Sequence, residues 1–276
     1  MHRTGPSSRT RRFLRERAIV LAHRDGPRSA RWIWFYTEQS GVLEAIAECA
    51  RRPRRHWTGT LLPLNYGQLT YRLAHAETTA RLISFDLEWS PYLRGDLHRL
   101  AGPAGLGLTS YCAELTCALL TGMLTDTFLF QQLMEISHLL ITPVPMRALA
   151  VAWTWQVLCH HGELVLHGGC TACGQMVQGT RQPLVWTVSG QIWHPQCRTV
   201  RDAHDLTVDP EISGILHCLR SHGIASIPPE SPAWSVLARW TPGWTFLRAR
   251  VETILGRPLR SLQVMADLAA TPSQTP

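Results

Sequence analysis

The feature that most constrains the fold of this chain is a set of two short ligand pairs in its second half. Cys170 and Cys173 form the first pair and His194 and Cys197 the second, with two residues between the members of each. This spacing lets the side chains of a pair converge on one tetrahedral zinc ion. Gly174 supplies the open backbone that such a knuckle uses. Because three thiolates and one imidazole fill all four positions, the sequence predicts one structural zinc per chain.

Two alternatives remain open for these residues. Cys170 and Cys173 could form a redox pair, although no strand-then-helix pattern of a thioredoxin-like unit surrounds them. His167 or His204 could take the fourth ligand position instead of His194. The segment around the ligands is too small to bury much apolar surface, so a zinc ion is expected to supply on the order of 10 kcal/mol of its folding free energy.

The distribution of charge indicates the kind of partner. All 27 basic residues of the 276-residue chain are arginine, and the net charge is +7. Residues 1–55 contain thirteen arginines and five acidic residues, so the basic character belongs to the front end. A GC-rich genome would also enrich arginine. Arginine nevertheless binds phosphates and base edges well, which favours a polyanionic partner over a small-molecule substrate.

Hydropathy predicts a cytoplasmic protein with no membrane partner. The arginine-rich start is followed only by the short apolar run at residues 18–22, which does not resemble a signal peptide. The apolar stretches at 115–124 and 148–159 are each too short to cross a bilayer. The 45% hydrophobic content supports a globular fold with a real core.

The N-terminal region predicts a helix-turn-helix-like segment. Apolar residues at helical spacings indicate one helix over 11–23 and a second over 28–39, separated by the Gly26-Pro27 turn. The second helix would present arginines to DNA, as recognition helices do. Together with a basic loop farther on, these give the DNA-contact candidates Arg28, Arg31, Arg51, Arg52, Arg54 and Arg55.

The rest of the chain predicts a mainly α fold, a multi-helix body with a small zinc-stapled β-hairpin module. The periodicity indicates helices near 67–85, 109–123, 126–140 and 146–161, with Asp126 placed to cap the third. Ser189-Gly190 is a hairpin turn signal between two apolar runs. The predicted domains are an arginine-rich region at 1–60, a helical body at 61–162, a zinc knuckle at 163–200 and a C-terminal helical extension at 201–276.

The tryptophan-containing helix and the first cysteine pair carry a resemblance to a known family. The chain runs from Ala152-Trp153-Thr154-Trp155 through Gly162-Glu163-Leu164-Val165-Leu166 to Cys170-Thr171-Ala172-Cys173-Gly174, and this order resembles the flagellar transcriptional activator FlhC. The resemblance covers residues 12–200 and is specific around 150–200. A weaker match at the front comprises Arg28, Arg31, Ile33, Tyr36, Glu38, Gly41 and Leu62-Pro63.

The resemblance implies a function in transcription. Members of that family bind zinc through this motif, associate with FlhD subunits, bind promoter DNA and recruit RNA polymerase. We therefore expect a DNA-binding activator subunit in bacterial flagellum biogenesis, with double-stranded promoter DNA, an FlhD-like subunit and RNA polymerase as partners. His194 replaces a cysteine of the family, and related activators control conjugative elements, so the regulon stays open.

Two other functions compete with the activator. His161 and Glu163 followed by the first cysteine pair superficially resemble a zinc deaminase, but Gly169 stands where a proline is expected and the second ligand pair would fill the open position. We therefore expect no enzymatic activity. The other alternative is a zinc-stapled protein-interaction module without direct DNA contacts, in which the arginines only promote solubility.

Overall fold

The fold combines a β-barrel, a group of helices and a small sheet. It is seen in a computed structural model, which describes residues 13–48, 59–73, 79–94, 100, 102–122, 125–164, 169–177, 182–187, 189–200, 202 and 205–262. None of the helices in these ranges is long and apolar enough to cross a membrane. The predicted basic loop at 51–55 lies outside the described residues.

Five strands form the barrel at the N-terminal end. They are β1 (Phe13–Asp25), β2 (Arg31–Thr37), β3 (Gly41–Ala47), β4 (Tyr66–Arg72) and β5 (Ala80–Trp89). The closed order is β1-β2-β3-β5-β4. The long strand β1 pairs antiparallel with both β2 and β4. A short parallel contact between β3 and β5 closes the barrel.

Strand β1 is buried on both of its faces. Successive side chains of a strand point to opposite faces, so Ala18 and Val20 lie in the barrel interior with Phe35 and other apolar residues. Ile19 and Leu21 point outward and belong to the core that the barrel shares with the helices. The outer face of the barrel is therefore partly an internal surface of the protein.

The predicted helix-turn-helix-like segment and the mainly α fold are wrong. The ranges 11–23 and 28–39 lie in β1 and β2, and Gly26-Pro27 is in the turn between two antiparallel strands. A strand buried on both faces loses the polar–apolar alternation that distinguishes it from a helix. The predicted helix at 67–85 comprises parts of β4 and β5. Its apolar residues at three- and four-residue spacings belong to two antiparallel strands and not to one helix.

Seven helices whose bounds lie within the described residues follow the barrel. They are α1 (Pro91–Arg94), α2 (Pro103–Leu120), α3 (Thr127–Leu139), α4 (Met146–His160), α5 (Pro210–His222), α6 (Pro232–Arg239) and α7 (Thr241–Leu255). Every residue from 148 to 159 of α4 is buried. Helices α2, α3, α5, α6 and α7 all contact α4, which is therefore the centre of the helical body.

Asp126 links the barrel to this helical body. As predicted, it caps α3, because its carboxylate accepts hydrogen bonds from the backbone N–H groups of Phe128 at 2.7 Å and Leu129 at 3.1 Å. The same side chain pairs with His160 at the end of α4. Its backbone carbonyl accepts from the Tyr36 hydroxyl of β2 at 3.3 Å. One residue thus joins two helices and the barrel.

A three-stranded sheet connects the predicted zinc knuckle to the C-terminal region. Its strands are β6 (Leu184–Trp186), β7 (Ile192–Trp193) and β8 (Leu206–Val208), in the order β7-β6-β8. Trp186 of β6 stacks on Trp155 of α4 with 5.1 Å between ring centroids. The predicted domain limits at 60, 162 and 200 stay predictions, but β4 and β5 lie beyond 60 and β8 beyond 200.

The end of the described chain is attached to α2 through Glu114. Its carboxylate accepts hydrogen bonds from the backbone N–H groups of Arg260 at 3.0 Å and Ser261 at 2.8 Å, and from the Ser261 hydroxyl at 2.7 Å. Burial raises the pKa of Glu114, but these donors and the nearby Arg257 outweigh burial and hold the pKa below its usual value. The ionised form therefore stabilises the fold.

Substitution of Glu114 with glutamine is expected to destabilise the protein in a pH-dependent way. Because the folded-state pKa is lowered, the stabilisation is present above the unfolded pKa of about 4.3 and is lost as the pH falls through the folded value. Urea unfolding should show a loss of about 1–2 kcal/mol at pH 7 that shrinks below pH 4. The exposed Glu230→Gln variant is the control, and a pH-independent difference would contradict this role of the carboxylate.

Candidate metal centre and nucleic-acid interface

The structure brings the predicted zinc ligands together. The ligand atoms of Cys170, Cys173, His194 and Cys197 all lie within 4.8 Å of one another. The Cys173 sulfur is 3.5 Å from Nδ1 of His194. Cys170 and His194 are buried, Cys197 is half-buried and Cys173 is exposed, so the cluster lies at the edge of the fold. The alternative ligands His167 and His204 lie outside the described residues.

A tight backbone turn positions the first cysteine pair. The N–H of Cys170 donates to the carbonyl of Gln175 at 2.8 Å, and the N–H of Gly174 donates to the carbonyl of Cys170 at 2.8 Å. Gly174 has a φ of 71°, which favours glycine. Gly169 is needed for a second reason, since a Cβ there would lie 2.0 Å from the Gly174 carbonyl oxygen. These two glycines make the turn narrow enough for both sulfurs to face one point.

The hairpin of β6 and β7 positions the second pair. His194 directly follows β7, and a 3-10 turn over Pro195–Cys197 carries the last ligand. The backbone N–H and the hydroxyl of Thr171 both donate to the carbonyl of Ile192, at 2.9 and 3.0 Å. The backbone N–H of His194 donates to the Cys170 sulfur at 3.4 Å. The turn and the hairpin are therefore held in register by direct bonds.

The chemistry of this donor set fits a divalent cation. With a metal–sulfur distance of about 2.3 Å, a tetrahedral ion places neighbouring ligand atoms roughly 3.5–3.8 Å apart. Burial raises the pKa of the Cys170 thiol, but the backbone N–H groups of Cys173, His194 and Ala172 outweigh burial and lower it to about 6. Burial and the two other thiols raise the pKa of Cys197 to about 11. A cation between the sulfurs would offset the repulsion between the thiolates and so favour their ionised forms.

A second candidate site is the outer face of β2 and β3. Arg24 is paired with Trp32 across β1 and β2, and Trp32 is paired with Ile46 across β2 and β3. Residues directly opposite on neighbouring strands share a face, and Trp34, two residues after Trp32, lies on the same one. The Arg24 guanidinium carbon is 5.9 Å from the centroid of the Trp34 ring. We call Arg24, Trp32, Trp34, Ile46 and Glu44, which is paired with Trp34, the tryptophan face.

The turn between β1 and β2 carries two of the predicted DNA-contact arginines. Arg28 is exposed and has a φ of 51°, so it lies at the tip of this turn. Arg31 begins β2 and pairs with Asp25 at 3.0 Å, so its charge is already partly compensated. The other four candidates, Arg51, Arg52, Arg54 and Arg55, lie outside the described residues. Their contact with DNA stays a prediction.

The sequence contained a signal for the tryptophan face that the helix prediction missed. Residues 32 to 35 are all large and apolar, but Ile33 and Phe35 fill the barrel while Trp32 and Trp34 are only half-buried. A run of aromatic and β-branched residues is typical of a strand. Trp34 also packs against the core that the barrel shares with the helices, so part of its surface is covered and part is exposed.

The barrel topology defines the class of this N-terminal region. A closed five-stranded barrel in the order β1-β2-β3-β5-β4 is an OB-fold, a class that binds oligonucleotides and oligosaccharides on the face of its second and third strands. Residues 12–87, which span nearly the whole barrel, match the family model described as Recombination protein O N terminal. No curated protein matches the chain.

The match corrects the resemblance to FlhC. The recombination family matches N-terminal residues that were also compared with the flagellar activator, and an OB-fold barrel replaces the helix-turn-helix-like segment that was predicted to contact DNA. The predicted functions in transcription activation and flagellum biogenesis are therefore wrong. Nothing in the comparisons supports an FlhD-like subunit or RNA polymerase as a partner.

Proposed function

We propose that this chain is a DNA-binding protein of recombination or repair that binds single-stranded DNA on its tryptophan face. The observation that carries the proposal is the position of Trp32 and Trp34, half-buried on the second strand of an OB-fold barrel. The match of residues 12–87 to a recombination-protein family supports the role in recombination or repair. The protein acts in the cytoplasm.

The arrangement favours single strands over duplex DNA. Unpaired bases expose flat surfaces that stack on aromatic side chains, whereas the bases of a duplex are stacked on one another. Arg24 beside Trp34 and Arg28 at the tip of the adjacent turn supply positive charge for the phosphates. The prominent β1–β2 turn is one of the loops that OB-folds use for oligonucleotides.

The metal cluster has a structural role in this proposal. Zinc is the metal that suits three thiolates and one histidine, and one ion per chain would hold the Cys170 turn against the β6–β7 hairpin. Full coordination by the protein leaves no position for a reactive water, so we propose no enzymatic activity. Glu163, which would be the acid–base group of a deaminase, pairs with Arg250 and lies 3.8 Å from His161, and these contacts support a structural role for it.

Fluorescence anisotropy with labelled oligonucleotides tests the proposal. We expect a single-stranded oligonucleotide to bind at least tenfold more tightly than a duplex of the same length, with an affinity that falls steeply with salt because each phosphate contact releases counterions. The proposal would be contradicted if duplex and single strands bound equally well. It would also be contradicted if the affinity did not change between about 50 and about 200 mM salt.

Charge reversal in the β1–β2 turn distinguishes direct DNA contact from a mere solubilising charge. Arg28→Glu is expected to weaken single-strand binding several-fold. It should also reduce the slope of log affinity against log salt concentration by the equivalent of about one phosphate contact. Arg239→Glu is the matched control, because this exposed arginine ends α6, far along the chain from the barrel. Unchanged binding by the Arg28 variant would favour a protein-interaction module without contacts from this turn.

A further inference from the structure

A cleft of about 580 Å³ lies between the barrel and the helical body. Trp34, Leu21 and Pro63 line it on the barrel side. Ala113 and Cys117 of α2 line the opposite side. Its volume is within the range of small-ligand sites, about 300–1,000 Å³, and its lining is mainly apolar, as in such sites.

The cleft has polar lining groups on both sides, and His23 of β1 lies on the barrel side. Ser110 and Glu114 come from α2, and Ser261 comes from the end of the described chain. The charge of Glu114 is compensated by three hydrogen bonds from Arg260 and Ser261 and by Arg257, which lies 3.6 Å away. A ligand that carries phosphates nearby can therefore bind in the cleft without strong repulsion between those phosphates and the Glu114 carboxylate.

The cleft is continuous with the tryptophan face. Trp34 belongs to both, because its ring lines the cleft while Arg24 lies over it at 5.9 Å. Arg260, which is exposed, lines the cleft on the other side. A strand that crosses the tryptophan face thus meets an apolar recess with an aromatic wall, and it has an arginine on either side for its phosphates.

We propose that this cleft holds one unstacked nucleobase of the bound single strand, with Trp34 as its stacking partner. The inference rests on the proposed single-strand binding. An apolar recess with an aromatic wall and a few hydrogen-bonding groups matches a base, which has two flat apolar faces and a polar edge. Ser110 lines the cleft and can meet that edge, whereas the Ser261 hydroxyl already donates to Glu114.

A variant that fills the cleft tests the inference. Ser110 is exposed on α2, so Ser110→Trp would place a large ring in the cleft without disturbing the core. We expect single-strand affinity to fall about tenfold, as for the loss of one stacked base. Ala104→Trp is the matched control, since Ala104 is an exposed residue of the same helix that does not line the cleft. It should bind like the wild type.

Cross-linking of the unaltered protein gives a second measurement that does not depend on a variant. An oligonucleotide containing 5-iodouracil should cross-link to Trp34 or to the α2 peptide that contains Ser110. Cross-links confined to Trp32, together with wild-type affinity of the Ser110 variant, would overturn the base site and leave single-strand binding intact. The cleft would then serve another ligand, such as a partner's peptide. Absence of any single-strand binding would instead overturn both proposals.

Discussion

Cys170→Ser is expected to abolish binding of the proposed zinc ion and to unfold the small sheet. The cluster joins a turn to a hairpin whose strands β6 and β7 are only three and two residues long. Such short strands do not persist without additional stabilisation. Because metal binding supplies folding free energy in small modules of this kind, the loss should be several kcal/mol.

The stacked pair of Trp155 and Trp186 provides the optical readout. Both rings are buried and lie nearly parallel, with an angle of 11° between their planes. Loss of the sheet would expose Trp186 to water and disturb Trp155 in the central helix, so the fluorescence emission should shift to longer wavelength. Metal analysis of the same sample should fall from one zinc per chain to none. A chelator should reproduce both changes in the wild type.

Cys218→Ser is the matched control for this experiment. Cys218 is a half-buried thiol of α5 outside the cluster, and its sulfur lies 3.3 Å from the Ser226 hydroxyl. Its replacement should leave the zinc content and the emission unchanged. If the wild type contains no metal, or if Cys170→Ser keeps a full equivalent of zinc, the structural role of the cluster is wrong.

The candidate metal centre could be predicted from the sequence because its geometry is local. Two residues between the members of a pair fix which side chains can converge, and Gly174 indicated the turn that brings the sulfurs together. Asp126 was predictable for the same reason, since an N-terminal cap depends on the adjacent backbone alone. Neither prediction required knowledge of the surrounding fold.

The barrel could not be predicted in this way because its signal depends on distant partners. Ile19 and Leu21 are apolar because helices cover the outside of β1, and Ala18 and Val20 are apolar because they face the interior. The resulting continuous run suits a buried helix equally well. Only the pairing of β1 with β2 and β4 decides between the two structures.

The resemblance to the flagellar activator failed for a related reason. It was specific around the tryptophan-containing helix and the first cysteine pair, which are both local motifs. A central helix with buried tryptophans and a metal-binding turn can occur in unrelated folds, so their succession does not fix the strands that precede them. The N-terminal barrel, which carries the family match, contributed only weak similarities to that comparison.

The double variant Trp32→Ala/Trp34→Ala is expected to abolish most single-strand binding. Each base that stacks on an aromatic side chain contributes about 1–3 kcal/mol, so each substitution alone should weaken binding roughly 5- to 150-fold. Trp34 should have the larger effect, because it also contacts Arg24 and lines the cleft. Trp34→Phe should restore much of the affinity, since a flat ring is retained.

The position of these residues on the outside of the barrel makes the result interpretable. Ile33 and Phe35 fill the interior and stay in place, so the barrel should keep its circular dichroism spectrum. Phe13→Ala is the matched control, because Phe13 is an aromatic residue at the start of β1 with 60% of its surface exposed. Single-strand binding that depends on Phe13 as much as on Trp34 would place the DNA on a different face and refute the tryptophan face as the binding site.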